Sequence, residues 1–357
     1  MAVELKQVSA DEAGMRLDRW FKAHFPDLSF GHLQKLVRTG QVRVDGGRVK
    51  TSSRLDPGQS VRIPPLGVDA AGIEPVDAAD EAARAAAPGG EAGERPAAPR
   101  GVIAAAARRE NEDLTALKAM ILYEDKDVMV LNKPMGLAVQ GGSGTYRHVD
   151  GMLDSMRDRD GQKPRLVHRI DKDTAGCLLI AKTRLAASIL TKSFRSREAR
   201  KIYWALVPGV PKPRQGRIST YLAREESEER MRVAKHGDDE ASHALTYYAV
   251  VDQAAQKMSW LSLKPVTGRT HQLRAHMAHI GHPIVGDPKY FNIENWEFPG
   301  GMQNKLHLLA RRIVIPHPRG TGVIDVSAPL PPHMAQSWAV LGLDATQYDP
   351  ILEAPES

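Results

Sequence analysis

The sequence predicts an α+β protein built from two globular units. Three observations lead there. The chain has 357 residues, beyond the ~100–200 of an ordinary domain, with 42% hydrophobic and 26% charged residues, a globular balance. Residues 66–110 interrupt it with 16 Ala, 6 Gly and 4 Pro and no aromatic, too little to bury against the entropy of ordering the segment. On the C-terminal side, short β-like runs dominate and helices intrude irregularly, which fits an antiparallel α+β sheet better than repeating βαβ units. The expected division is a small unit over residues 1–65, a flexible linker over 66–112, a larger unit over 113–340 and a tail over 341–357.

The small unit reads as two helices followed by a hairpin. Leu17, Trp20, Phe21 and Phe25 recur at helical spacing, and Pro26 ends the run. Ser29 is placed to cap a second helix with Leu33, Leu36 and Val37 as its buried stripe, and Gly40 falls where a C-terminal cap glycine belongs. Val42 and Val44 alternate with Arg43, and Asp45-Gly46 marks a tight turn into Arg48 and Val49. In the linker, Ala104 to Arg109 favours a helix leading into the next unit. Further on, strands are expected at Val128–Leu131, Leu178–Ile180, Ile202–Val207, Ala244–Val251 and Trp260–Leu263, with helices at Leu185–Phe194 and His271–His279.

Composition narrows the function classes. No run reaches the ~18–20 apolar residues of a membrane helix. Residues 1–10 carry charge without an apolar core, so no secretion signal is expected. Cys177 is the sole cysteine, which excludes an internal disulfide or a cysteine-cluster zinc site and makes a cytoplasmic setting the expectation. The net charge of +6 divides into +4 over residues 1–65, −3 over 66–110 and +5 over 111–357. The positive charge therefore sits on the folded units, which suits an anionic partner such as nucleic acid. Neither G-x-G-x-x-G nor a Walker A loop is present, so no nucleotide cofactor is indicated.

Four stretches concentrate chemistry. In HRIDKDTAGCLLIAK (168–182), His168, Arg169, Asp171 and Asp173 precede an apolar strand, which places a carboxylate at the edge of a core where burial and a nearby cation set its ionisation. A turn cap is the plainer role for such an Asp. In PVTGRTHQLRAHMAHIGHPIVGD (265–287), Arg269 and Arg274 accompany His271, His276, His279 and His282. The histidine spacings of five, three and three lack the acidic partner of H-E-x-x-H, so local hydrogen bonding or phosphate contact is expected over metal. In KIYWALVPG (201–209), strand alternation sends Tyr203 and Trp204 to opposite faces, one toward the core and the other toward a cleft. In ILYEDKDVMVLNKPMGLAVQGGSG (121–144), Gly141-Gly142-Ser143-Gly144 offers backbone amides for a phosphate.

Taken together these stretches carry a resemblance. HRIDKDTAG, KIYWALVPG, TGRTHQLRAHMAHIGHPIVGD and LHLLARRIVIPHP (306–318) stand in the order found in the RluA-type pseudouridine synthases. The segment from Met15 to Ile63 resembles the S4 RNA-binding domain, an arrangement of the RluC and RluD branch. The chain departs from the family's HRLD-x-x-TSG-L at Ile170, Ala175 and Cys177. Ile170 keeps the volume, Ala175 loses a hydroxyl, and Cys177 fills a buried slot.

The resemblance implies a small α/β S4 domain joined to a mainly antiparallel, mixed-sheet catalytic domain. It implies conversion of uridine to pseudouridine in RNA, an isomerisation that needs no cofactor and no metal. Asp171 matches the family's catalytic carboxylate, Tyr203 its active-site tyrosine, and Arg274 the cation expected to meet Asp171 in a bidentate pair. Leu178, Leu179 and Leu273 are expected to form the dry wall of the site. The RNA-binding residues implied are Arg16, Arg19, Lys35, Arg38 and Arg43 in the small unit, and His168, Arg169, Arg269 and His271 in the large one. The implied partner is 23S ribosomal RNA, free or in a ribosome assembly intermediate, and the expected state is a monomer. Two other readings compete. An RNA-binding protein with an inactive enzyme domain would be free to lose Asp171, and a metal-dependent hydrolase would lose activity to a chelator.

Overall fold

The computed structural model describes residues 3–65 and 100–355, apart from 10, 11, 13, 26, 27, 143, 144, 160, 226–229, 239 and 293–298. Most of the expected linker, 66–99, lies outside the described residues. The chain divides into two compact units, Met1–Arg95 and Pro96–Ser357.

The first unit contains β1 (Glu4–Gln7), α1 (Leu17–His24), α2 (Phe30–Arg38), β2 (Arg43–Val44), β3 (Gly47–Arg48) and β4 (Ser60–Ile63). Its antiparallel sheet runs β1-β4-β2-β3. Apolar spacing drives both helices: Leu17, Trp20 and Phe21 meet Leu33, Leu36 and Val37 in one core. Ser29 accepts a hydrogen bond from the His32 N–H, and Gly40 follows α2 at φ +72°. Asp45 and Gly46 turn the hairpin at φ +48° and +78°, the left-handed pair a two-residue turn demands. β1 had no signature in the sequence, because its residues are largely exposed and show no alternation.

The second unit begins with α3 (Arg100–Ala119), which extends the short helix expected at 104–109 and buries Leu117. There follow β5 (Ile121–Glu124), β6 (Val128–Lys133), α4 (Val149–Met152), β7 (Arg165–Leu166), β8 (Ala175–Ala181), α5 (Arg184–Arg195) and β9 (Arg200–Pro208). Next come β10 (Gln215–Arg224), β11 (Met231–Ala234), β12 (Ser242–Ala254), β13 (Met258–Pro265), α6 (Gln272–His279), β14 (Leu308–Pro316), β15 (Val323–Ser327) and α7 (Pro332–Leu341). Among the described residues eleven strands form one sheet in the order β11-β10-β12-β13-β9-β14-β8-β6-β5, with β15 on β14 and β7 on β8. Every pair is antiparallel except β14 with β8. That parallel contact is close. A Cβ on Gly176, itself at φ +108°, would lie 2.3 Å from the Ala310 carbonyl oxygen.

Both faces of the sheet are covered. Trp204, Leu206, Leu179 and Cys177 pack with Leu190 of α5 and Trp338 of α7 on one side. On the other, Leu273 and Met277 of α6 cover one end, while Leu117 of α3 and Met152 of α4 cover the other. Tyr203 packs partly against both of these clusters and so marks the seam between them.

The segment expected as a tail is part of the core. Ile351 is buried, Asp349 accepts hydrogen bonds from the Trp204 indole (3.0 Å) and the Ser262 hydroxyl (2.7 Å), and Lys264 donates to the carbonyls of Ala354 and Pro355. Its polar composition hid this, because the contacts are made by single residues and not by a stripe.

Burial pushes three imidazoles well below their ordinary 6.5: His276 and His307 to about 4, and His168 to about 3. The unfolded chain takes up these protons near pH 6.5, the folded one only near 4 or, at His168, near 3. The stability that depends on these groups is therefore fully present above 6.5 and is lost as pH falls toward 4. The urea midpoint should drop between pH 7 and pH 5. A flat midpoint across that window would mean that these imidazoles are charged in the fold.

Candidate active site

The seam at Tyr203 opens into a cleft of about 760 Å³ lined by the loop before β8, the cleft side of β9, the turn after β13 and the start of α6. The loop carries Asp171 because the chain turns there, Thr174 donating its N–H to the Asp171 carbonyl at 3.1 Å. The loop is pinned from beneath. Lys133, at the end of β6, is fully buried and donates to the carbonyls of Pro134 (2.9 Å), Leu137 (2.8 Å) and Lys172 (2.9 Å). The Gly136 N–H meets the same Lys172 carbonyl. Burial pushes the Lys133 ammonium down to about 7, with Asp173 and Asp171 pulling it partly back.

α6 enters through a left-handed His271 (φ +49°) and is buried nearly all round. Its polar side chains are consequently paired. Gln272 accepts from the Arg269 N–H (3.1 Å) and the Thr267 hydroxyl (2.6 Å) and donates to the Leu245 carbonyl and Thr246, locking the Thr267–Arg269 turn. His276 sits between Thr246 and Thr220, and His282 meets the Pro208 carbonyl. His276 and His282 thus satisfy local hydrogen bonds, while His279 is exposed. Among the described residues one acidic and histidine group does converge: Asp125, Asp127 and His317 offer atoms within 4.8 Å of one another. Asp127 is already gripped by Arg319, and Asp125 by Tyr123, His317 and two backbone N–H groups, so the group reads as a closed ion-pair network.

Arg274 is the pivot of the cleft. Its guanidinium is buried and donates to Asp287 through Nε (2.7 Å) and Nη2 (2.6 Å). Its remaining Nη1 faces Asp171 Oδ2 at 3.8 Å. The bidentate partner expected at Asp171 is therefore Asp287, and Asp171 receives the third edge of the fork end-on. The reason is space: Asp287 is wholly buried and takes further N–H donors from Lys289 and Tyr290, whereas Asp171 stays about a quarter exposed. The Gly286 turn before Asp287 lies so close to residue 305 that a Cβ would come 2.1 Å from the Lys305 carbonyl oxygen. Among the described residues, Asp171 is the one carboxylate lining the cleft.

Tyr203 also faces the cleft while Trp204 points into the opposite core, as alternation along β9 requires. Burial and the Asp171 carboxylate push the Tyr203 phenol above its ordinary range. It is neutral at physiological pH, a flat face and a proton donor. The dry wall differs from expectation. Leu273 does line the cleft, but Leu178 and Leu179 lie wholly in the cores on either side of β8, and Ile170, Val139 and Leu308 take their place.

The remaining candidates divide. Arg169 and Arg269 are exposed at the cleft, steadied by Gln140 and the His243 carbonyl, and His271 lines it beside Tyr290. His168 lines it too, but its Nε2 accepts from the Leu179 N–H (2.9 Å) and its ring stacks on Phe194, so it is a neutral wall residue and no phosphate-binding cation. In the first unit Arg19, Lys35 and Arg38 are exposed, whereas Arg16 is paired with Asp18 and Arg43 donates to the turn carbonyls of Gly40 and Gly46. Gly141 lines the cleft, while Ser143 and Gly144 of the same loop lie outside the described residues. Cys177 packs as expected, its thiol pushed up to about 12 by burial.

Comparison with known proteins places this geometry. Residues 127–279 match the RNA pseudouridylate synthase family and residues 15–61 the S4 domain. The chain is 30% identical over 339 residues to ribosomal large subunit pseudouridine synthase C of Vibrio cholerae, across 94% of this chain and 96% of that one. It is 32% identical over 337 residues to the protein of the same name from Escherichia coli K12, across 92% and 93% of the two chains. The solved structure of human RNA pseudouridylate synthase domain containing 4 aligns with a TM-score of 0.57 at 26% identity, over 67% of this chain and 98% of that one.

The Arg274–Asp287 pair makes a prediction about stability. Asp287→Ala leaves a buried guanidinium without its fork partner and should cost about 3–5 kcal/mol in urea unfolding. A loss under about 1 kcal/mol, the value of an exposed pair, would show that the fork does not hold α6.

Proposed function

The chain belongs to the RNA pseudouridylate synthase family, and on that premise we propose that it isomerises selected uridines of large-subunit (23S) ribosomal RNA to pseudouridine, with Asp171 as its catalytic carboxylate and no cofactor. The observation that carries this reading is Asp171, the single carboxylate lining the cleft among the described residues, faced end-on by Arg274 where Tyr203 marks the seam.

The chemistry fits that inventory. The N1–C1′ bond of the uridine breaks, the base turns within the cleft, and C5 bonds to C1′. The C5 proton leaves and N1 gains one, so atoms and electrons balance without a redox partner or energy donor. Simple glycoside hydrolysis commonly uses two carboxylates because the leaving group is surrendered to water. Here the leaving base returns as the nucleophile, and one carboxylate suffices. Asp171 serves as a nucleophile toward the sugar, a nucleophile toward the base, or a base toward the sugar. Arg274, fixed by Asp287, orients it.

Tyr203 stacks on the base. Turning a nucleotide out of its stack costs a few kcal/mol, and a base on an aromatic face returns ~1–3 kcal/mol. Burial and the Asp171 carboxylate hold its phenol above the ordinary range, so Tyr203 offers a flat face and a proton donor to the base. Ile170, Leu273 and Leu308 keep out the water that would otherwise leave an abasic sugar. Arg19, Lys35 and Arg38 of the S4 domain hold RNA phosphates, which sets affinity and orientation. A cytoplasmic monomer acting on free 23S RNA or on an assembly intermediate completes the reading. Among the described residues no helix is long and apolar enough to cross a membrane.

The test is to incubate the protein, with a chelator and no added cofactor, with unmodified 23S, 16S and transfer RNA transcripts, then map pseudouridine by chemical labelling and primer extension. New sites in 23S RNA that vanish with Asp171→Ala are expected. Sites that survive Asp171→Ala, or none in any RNA or assembly intermediate, would contradict the reading.

A further inference from the structure

We propose that Lys201 is the phosphate grip of the cleft, binding a backbone phosphodiester next to the uridine that stacks on Tyr203. The proposal rests on the uridine-isomerase reading and adds to it the anion contact that places the nucleotide.

Strand geometry puts the two groups side by side. On β9, Lys201 and Tyr203 both line the cleft, while Ile202 and Trp204 turn into the opposite core. Residues two apart on a strand are separated by roughly 6.6 Å along one face, a span that one ribose bridges between its base and its phosphate. Asp171 lines the same cleft. A base on Tyr203 with its phosphate on Lys201 therefore presents its sugar to the carboxylate wall. Across the cleft Lys201 faces bare backbone, its Nζ lying 3.9 Å from where a Cβ on Gly268 would be.

The state of the ammonium is the second argument. The other deeply placed cations of this unit are satisfied: Arg274 by Asp287, Lys133 by three carbonyls, and Lys264 by the carbonyls of Ala354 and Pro355. Lys201 is only partly exposed, and no hydrogen bond or ion pair holds it among the described residues. Its neighbour His168 is neutral, and Asp171 is turned to Arg274. A half-buried charge without a partner is costly, and burial accordingly pushes the Lys201 ammonium down to about 8. An anion entering the cleft supplies the missing partner. A lysine suits a single phosphate oxygen, since it binds as a point charge and needs no planar fork. Exposed Arg195 and Arg197 at the same mouth draw the flanking backbone toward it.

A chemical double-mutant cycle tests this. The full-length protein is given an RNA fragment with a methylphosphonate, which removes the phosphate charge, at either phosphate flanking the target uridine. Lys201→Met keeps a side chain of similar length and removes a half-buried charge, so the fold should hold; thermal unfolding checks that it does. Each change alone should lower kcat/KM for isomerisation about tenfold, the size of one charge-assisted contact. Together, at one of the two phosphates, they should cost no more than either alone. Lys201→Arg should recover part of the loss. Losses that multiply at both phosphates, or a Lys201→Met protein with wild-type kcat/KM, would overturn the proposal. If the wild type forms no pseudouridine in unmodified RNA, the isomerase reading has failed, and that outcome is distinct from either.

Discussion

A buried guanidinium holds this site together. Arg274 is taken out of water almost completely, and a charge so placed survives only with matched partners. Asp287 supplies two oxygens, and the backbone around Lys289 and Tyr290 supplies the donors that keep Asp287 in place. One edge of the fork is left, and it faces Asp171. The fork thus converts a structural ion pair into an oriented contact at the one carboxylate that lines the cleft among the described residues. Close backbone approach at Gly286 and the left-handed entry at His271 are what bring α6 and the Asp287 turn into register.

The same logic runs through the other wall. Lys133 is buried beneath the loop of Asp171 and is satisfied by carbonyls alone, one of them belonging to the residue after Asp171. Two cations therefore fix one loop from opposite sides: Arg274 through the carboxylate, Lys133 through the backbone. Between them the sheet offers alternating faces. Trp204 fills the core and Tyr203 the cleft, which is how a continuous strand serves packing and chemistry in adjacent positions. Lys201 lies one step further along the same cleft side of β9.

Much of this was legible because the carriers are periodic or compositional. The helices of the first unit declared themselves by Leu17, Trp20 and Phe21 against Leu33, Leu36 and Val37, and the turn at Asp45-Gly46 by its dipeptide. Asp171, Tyr203 and Arg274 stood out in dense polar stretches beside apolar runs, and the fold does bring them to one cleft. What was hidden depends on distance in the chain. Asp287 as the partner of Arg274, Lys133 beneath the Asp171 loop and Asp349 under Trp204 are pairings 13, 39 and 145 residues apart, and no local pattern announces them. Leu178 and Leu179 were misplaced for a related reason. A strand buried on both faces reads as one apolar run, and only its neighbours decide which side meets the cleft.

The proposed role of Arg274 toward Asp171 depends on the geometry of its fork and not on its charge alone. Arg274→Lys separates the two, since lysine keeps the charge but cannot hold Asp287 with two donors and still turn a further nitrogen toward Asp171. Single-turnover pseudouridine formation at saturating RNA, measured beside the RNA dissociation constant, reads the difference directly. The rate should fall at least about tenfold, a barrier rise of about 1.4 kcal/mol, with RNA affinity within about twofold of wild type. A lysine variant that isomerises at the wild-type rate would contradict that role.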